Sequence, residues 1–327
     1  MKAIEFTNHG IPHQVCRCVD APDVGAPGPG EIVVAIDASA INPADLLIVE
    51  GRYPGPSQFP ARLGIEGTGH VVGIGDGVAG LAPGDRVMIL DRTNWAEKVC
   101  VQGAQTIRIP ANLDVLQAAM MKANPPTALL MLRDFVNLQP GDWVIQNAAN
   151  SAVGYHVIRL ARSQGVHTIN VVRRASLVAP LTAAGADLVV VDGDGLGERV
   201  RAEIGDVPVP LALDAAGGHA CLALADCLSD GGVLVNYGFL SGDPCMLTPQ
   251  HAIVHDISLR GFWLVRSLFQ GPREEIEATY AEIARLISEG TIDAPVEATY
   301  GFEDVAIALA HAEREGRDGK ILFVSNK

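Results

Sequence analysis

The sequence predicts an α/β protein in which a doubly wound parallel sheet is set into a β-rich domain. Three observations predict it. About the first 115 residues are short strand-like runs between Gly/Pro turns. From "PGDWVIQNA" onward apolar runs alternate with helical patterns, and a strand-like tail, "GKILFVSN", closes the chain. At 327 residues, 48% hydrophobic and only 19% charged, the chain can bury a large core and is long enough for two ordinary domains.

In the β-rich part the runs "EIVVAIDASAI", "GTGHVVGIG", "DRVMIL" and "EKVCVQG" are separated by "APGPG", "RYPGP" and "APGD", the spacing of a small barrel or sandwich. The second rhythm starts with strand "WVIQNA" and helix "AVGYHVIRLARSQG". It continues through strand "HTINVVR", helix "ASLVAPLTAAG", strand "ADLVVVD" and helix "GLGERVRAEIG". Strand "VPLALDAAG", helix "HACLALADCLSDGG" and strand "VLVNYG" complete it. Strands alternating with helices of this length imply right-handed crossovers and a parallel sheet. After "LRGFWLV", Ile276, Tyr280, Ile283 and Ile287 recur at helical spacing. We therefore expect residues 1–119 and 263–327 to form one discontinuous domain, with residues 120–262 inserted as the α/β domain.

The formal net charge of −14 argues against nucleic acid or an anionic membrane as partner, because phosphate neutralisation needs clustered basic surface. "MKAIEFTNHG" has no apolar leader, and no run of eighteen apolar residues occurs, so a soluble cytoplasmic enzyme is expected. The six cysteines lack C-x-x-C spacing and are expected to be reduced core thiols rather than a disulfide or zinc framework.

In a doubly wound fold the pyrophosphate of a dinucleotide sits where the first strand meets the first helix, against the helix N–H groups. That place is "QNAANSAVGYHV". Asn150, Ser151 and Ala152 occupy the centre of the turn, and only Gly154 remains of a full G-x-G-x-x-G. The second strand ends in Arg173 and Arg174, and no acidic residue lies between Gly154 and Asp187. An acid here would bond a ribose 2′-hydroxyl, whereas arginine accommodates a 2′-phosphate, so NADPH is the expected cofactor. The alternative is that the two arginines are ordinary solvated surface.

The glycine-crowded stretch "LGIEGTGHVVGIGDG", Leu63 to Gly77, precedes no helix and continues as a strand, so it is not a phosphate cradle. Its longer form, "GIEGTGHVVGIGDGVAGLAPGDRV", resembles the G-H-E-x-x-G segment of the medium-chain dehydrogenases/reductases. The resemblance implies a GroES-like catalytic domain and a Rossmann nucleotide-binding domain. In the zinc-dependent members the His of that motif binds metal with an upstream Cys. Here Ile65 stands in the His position and Asp45 of "NPADLL" lies near where the Cys would fall, so a ligand is missing. The four-Cys structural zinc loop is absent as well. His251 and His255 share an i, i+4 spacing but lack the Glu of H-E-x-x-H, and no metal is assigned.

Within that superfamily, "INPADLLIVEGRYPG", "ANPPTALLML", "LQPGDWVIQNAANSAVG", "TINVVRR", "VNYG" and "LRGFWLV" occur in the same order as in the mitochondrial-type 2-enoyl thioester reductases. That resemblance implies NADPH-dependent reduction of trans-2-enoyl thioesters of CoA or acyl carrier protein, with hydride going to Cβ and a proton to Cα. Tyr53 matches the family's proton donor or carbonyl polariser, a suitable role for a phenol, which is protonated at neutral pH. Asn124 matches an asparagine near the nicotinamide. Asn150, Ser151, Ala152, Val153 and Gly154 match the pyrophosphate loop, and Arg173 and Arg174 the 2′-phosphate clamp. Tyr237, Gly238, Phe239 and Leu240 match a segment passing the nicotinamide. Phe262, Trp263 and Leu264, with Val265 after them, match a strand bordering cofactor and acyl pocket, and Lys320 matches a C-terminal lysine near the cofactor. One departure concerns the arginines: the family usually separates them by an acid, whereas here they are adjacent and followed by Ala175.

Two other readings stay open. A quinone reductase of the same superfamily shares the "NPxD" segment, and a nucleotide-binding protein without turnover would share the fold. A homodimer through edge strands of the nucleotide domain is expected from the resemblance.

Overall fold

The computed structural model describes residues 1–325. In its β-rich part the ten-residue run Glu31–Ala40 organises the sheet, its β-branched residues packing inward along most of its length. It pairs antiparallel with Thr68–Ile74, Lys98–Gln102 and Lys320–Val324. Arg86–Ile89 and Thr106–Arg108 extend one side, and Val296–Tyr300 lies parallel to Lys320–Val324 on the other. The four runs expected near the N-terminus are thus strands. A small sheet of Lys2–Phe6, Cys16–Asp20 and Ala61–Arg62 accompanies them, its strands too short to stand out in the sequence. Phe6, Ile32, Ile36, Trp95 and Phe323 fill the core, with the Trp95 and Phe323 rings edge to face at 5.3 Å.

The glycines of the opening motif serve this packing. A Cβ on Gly69 would lie 2.1 Å from the Ala35 carbonyl oxygen, so the two strands can approach only with glycine there.

The α/β part is a six-stranded sheet in which every neighbouring pair is parallel. Its order is Leu188–Val191, His167–Val172, Trp143–Gln146, Leu211–Asp214, Val233–Asn236, Ser258–Gly261. The first strand in sequence is therefore third in space, and the order reverses between it and Leu211–Asp214, where this class of sheet binds ligands. Helices Ala152–Ser163, Val178–Ala183, Leu196–Ile204 and His219–Ala225 make the crossovers. Asn124–Asp134 is also helical; its two prolines fall in the first turn, where no N–H partner is lost.

The contacts divide the chain into two units. One comprises Met1–Ala123, Glu277–Gly290 and the stretch from Ala294 onward; the other comprises Asn124–Ile276 with Thr291–Asp293. The nucleotide-type unit runs on past Phe262 because the Phe262 N–H still donates to the Asn236 carbonyl and its ring packs edge-on against Phe135. The expected "F-W-L" strand does not form. The strand ends at Gly261, and the Trp263 carbonyl accepts from the N–H groups of Arg266 and Ser267, so the chain turns into the helical segment Val265–Phe269. Ile276, Tyr280 and Ile283 are buried along helix Arg273–Ser288, as their spacing predicts. Among the described residues no helix is long and apolar enough to cross a membrane.

Candidate active site

In the nucleotide-type unit the turn after Trp143–Gln146 is built by its own side chains. The Asn147 amide donates to Asp214 and its carbonyl accepts from the Ala215 N–H at 2.8 Å, which ties the first strand to the fourth at the switch point. Ala148 takes φ 47° to reverse the chain. Ser151 then caps helix Ala152–Ser163, its hydroxyl accepting from the Gly154 N–H at 3.1 Å. A Cβ at Gly154 would fall 2.3 Å from the Ala149 carbonyl oxygen, so helix and turn meet closely only because that residue is glycine. Asn150, Ser151 and Ala152 are half-buried and Val153 is buried. The helix start thus presents N–H groups and a positive dipole end beside small residues, the arrangement that accepts a phosphate.

Arg173 and Arg174 follow strand His167–Val172 directly and both are exposed. Asp214 ends the fourth strand. It is buried, yet its carboxyl lies below the usual range because Cys221, Asn147, Asn236 and the Gly217 N–H all donate to it, outweighing desolvation. The Tyr237 N–H donates to the Asp214 carbonyl at 2.9 Å, and burial pushes the Tyr237 phenol up, with Ser151 the main counterweight. Gly238 approaches the Ala215 carbonyl too closely for a Cβ, 2.4 Å, while Phe239 and Leu240 beyond it are 60% and 59% exposed. Phe262 is buried and Trp263 exposed, with Leu264 and Val265 half-buried. Asn124 is half-buried at the start of its helix. The turn 147–154 and the segment at Tyr237 therefore converge on Asp214, whereas Phe262 serves the packing against Phe135.

In the β-rich unit helix Pro43–Val49 begins with a capping box. Asp45, fully buried, accepts from the Asn42 N–H through one oxygen and from the Ile65 N–H through the other, both at 2.9 Å. Glu66, also fully buried, accepts from the Asn42 amide at 2.7 Å and from the Ala123 N–H at 3.0 Å. The Lys320 ammonium donates to the Asn42 side-chain oxygen, and Lys122 donates to the carbonyls of Ile65, Leu90 and Asp91. Burial raises the Asp45 carboxyl to about 7 and lowers Lys122 and Lys320 to about 8. Tyr53 lies in the loop after this helix, half-buried, with the Arg92 guanidinium 5.9 Å from its ring centroid.

This position does not fit a zinc ion. The Ile65 side chain has no lone pair to donate, and among the described residues no set of three His, Cys, Asp or Glu ligand atoms converges at Asp45. The pair His251 and His255 does not converge either: His251 Nε2 meets Asp226 and His255 Nδ1 meets Asp230. The sequence motifs direct attention to Asp45 and Lys320, but not to Glu66 or Lys122, which complete the buried network. The only available signal was a charge, "GIEGTG", inside a glycine-rich apolar run.

A parallel sheet whose order reverses at its first helix, joined in one chain to a β-rich domain of this pattern, is the architecture of a two-domain oxidoreductase. The alcohol dehydrogenase GroES-like domain model matches residues 28–115, and the zinc-binding dehydrogenase model matches residues 152–286. The mitochondrial enoyl-[acyl-carrier-protein] reductase of Dictyostelium discoideum is 33% identical over 330 residues, covering 98% of this chain and 94% of that protein. The chain belongs to the medium-chain dehydrogenase/reductase superfamily, among the mitochondrial-type 2-enoyl thioester reductases. Among solved structures, the Etr1p/NADP/crotonyl-CoA complex superposes with TM-score 0.87 at 27% identity, covering 99% of both chains. The quinone oxidoreductase of Escherichia coli complexed with NADPH superposes with TM-score 0.89 at 26% identity, covering 99% of this chain and 100% of that one.

Proposed function

We propose that this oxidoreductase reduces the C2=C3 bond of trans-2-enoyl thioesters of CoA or acyl carrier protein, using NADPH and no metal. The observation that carries the reading is the filled metal position. With Ile65 in the ligand position and no converging ligand set at Asp45, nothing there holds a Lewis acid to polarise an alcohol oxygen, while Tyr53 brings a half-exposed phenol. The relatives' names support the same reaction.

The chain's residues fit the cofactor. The cradle at Gly154 would hold the pyrophosphate and the adjacent Arg173 and Arg174 the 2′-phosphate, although their lack of a spacer departs from the family pattern. When bound, NADPH supplies the hydride that reaches Cβ. Tyr53 donates to the thioester oxygen as negative charge develops there, or to Cα directly, and its half-exposed loop lets solvent restore the proton.

A quinone reductase is the second reading, favoured by the likeness to the Escherichia coli enzyme. Rates with crotonyl-CoA, 2-hexenoyl-CoA and 1,4-benzoquinone, each with NADPH and NADH, separate the two. Reduction of quinone alone, unchanged by Tyr53→Phe, overturns the thioester reading, and a preference for NADH overturns the role of the arginines.

A homodimer belongs to the same proposal. Ser258–Gly261 is an edge strand with all four residues exposed, and Ile253, Val254, Leu259 and Trp263 add exposed apolar area around it. An edge of this kind can pair with a second copy of itself. Sedimentation of the intact protein tests it.

A further inference from the structure

Asp214, Cys221 and Cys245 bring one carboxylate oxygen and two sulfurs within 4.8 Å of one another, and among the described residues no other group of three or more such ligands does so. Three separate elements build the cluster. Asp214 ends a parallel strand, Cys221 lies in helix His219–Ala225, and Cys245 lies in the loop beyond Leu240. Gly217 and Gly218, at φ 79° and 60°, wrap the turn around the carboxylate, and the Gly218 N–H donates to the Pro244 carbonyl at 3.2 Å, fixing the Cys245 loop against that turn. The Cys221 thiol is fully buried and donates to Asp214 Oδ2 at 2.8 Å, while Cys245 is half-buried and leaves a way in from solvent.

We propose that Asp214, Cys221 and Cys245 form a binding site for a thiophilic divalent cation of the zinc or cadmium type. Two sulfurs and one oxygen are three of the four ligands such an ion takes in a tetrahedral site, with water as the fourth. The proton that Cys221 now shares with Oδ2 is the one the cation replaces. That lone pair becomes a metal ligand, and the two thiols release two protons in all. The other acceptor positions of Asp214 keep their donors, Asn147, Asn236 and the Ala216 and Gly217 N–H groups, which hold the carboxylate in place as an outer shell does around a metal. Burial and the neighbouring carboxylate raise both thiols, so the cation must displace bound protons. The site is independent of the proposed reaction and of the position of Ile65.

The test is a cadmium titration of the reduced, metal-stripped full chain, followed by the ultraviolet thiolate-to-cadmium band and competed with zinc. We expect one equivalent to bind, with apparent affinity rising up to about 100-fold per pH unit as two protons are released. Cys221→Ser and Cys245→Ser, which replace the thiol by a hydroxyl of similar size, should each abolish that equivalent while circular dichroism is unchanged. A band of unchanged size and midpoint in either variant would place the cadmium on Cys16, Cys18, Cys100 or Cys227 and overturn the assignment. So would a thiol count on the chain before reduction that is short by two and is restored by dithiothreitol, because the pair would then be a disulfide.

Discussion

The Asp45 network and the turn 147–154 with Arg173 and Arg174 handle charge in opposite ways. Around Asp45, two acids and two lysines are buried almost completely and satisfy one another through Asn42 and backbone groups. At the turn, a helix start and two exposed arginines offer positive potential with their own unit supplying no acid between Gly154 and Asp187. A closed set of charges fixes a scaffold, because removing one member strands its partners in low dielectric. An exposed set carries no such penalty. Substitutions in the first region should therefore register in folding, and those in the second in cofactor use.

Tyr53 asks whether exposure or location decides. It belongs to the same unit as the Asp45 network but is half-exposed, so it should behave as a ligand-facing group. Tyr53→Phe is expected to lower kcat for crotonyl-CoA by about 100-fold or more, the usual worth of a general acid, with the melting temperature unchanged. A rate within twofold of wild type would remove Tyr53 from the chemistry.

The arginines come next. Replacing both Arg173 and Arg174 by Ala should weaken NADPH by about 30-fold, corresponding to ~2 kcal/mol for hydrogen bonds to a charged group. NADH affinity and stability should be unchanged. Equal losses for the two cofactors would mean that the pair supports the turn rather than the 2′-phosphate.

Asp45→Asn probes the closed region. The amide can accept from only one of the Asn42 and Ile65 N–H groups and turns a donor toward the other, so the variant should lose about 1–3 kcal/mol in urea unfolding. The loss should depend on pH. With the native carboxyl at about 7 against an ordinary 3.8, the folded chain holds a proton across that interval that the unfolded chain has released. The stability Asp45 contributes therefore falls as pH rises through it, and the gap between wild type and variant should narrow from pH 4 to 7. Lys122 and Lys320, lowered from 10.5 to about 8, act in the other direction, their contribution rising between those values.

The same contrast explains what could be read from the sequence. The open region is local: strand, turn, Ser151, Gly154 and the two arginines lie within a short stretch, and period and charge alone located them. The closed region joins Asn42 to Lys320, 278 positions apart, and no spacing rule reaches that far. Lys320, expected near the cofactor from its motif, has its ammonium on Asn42 within the β-rich unit. The "F-W-L" segment misled for another reason. Aromatic and branched residues favour a strand, but the chain turns after Gly261, where the Trp263 carbonyl accepts from the N–H groups three and four residues on, a local helical turn that strand propensity does not predict.

The smallest expected effect is at Ser151, which belongs to both categories at once. Its hydroxyl accepts from the Gly154 N–H, a structural cap, yet it stands in the turn proposed to hold the phosphates. Ser151→Ala should cost about 1 kcal/mol of stability, the usual value of an N-cap. If the hydroxyl only caps, NADPH affinity should fall no further than the slight fraying of the helix start requires, and Ser151→Asp, which also caps, should restore stability while repelling the phosphates. Restored stability with NADPH binding weakened well below that of the alanine variant would show the turn to be facing phosphate. Equal binding by the alanine and aspartate variants would place the pyrophosphate elsewhere on the sheet.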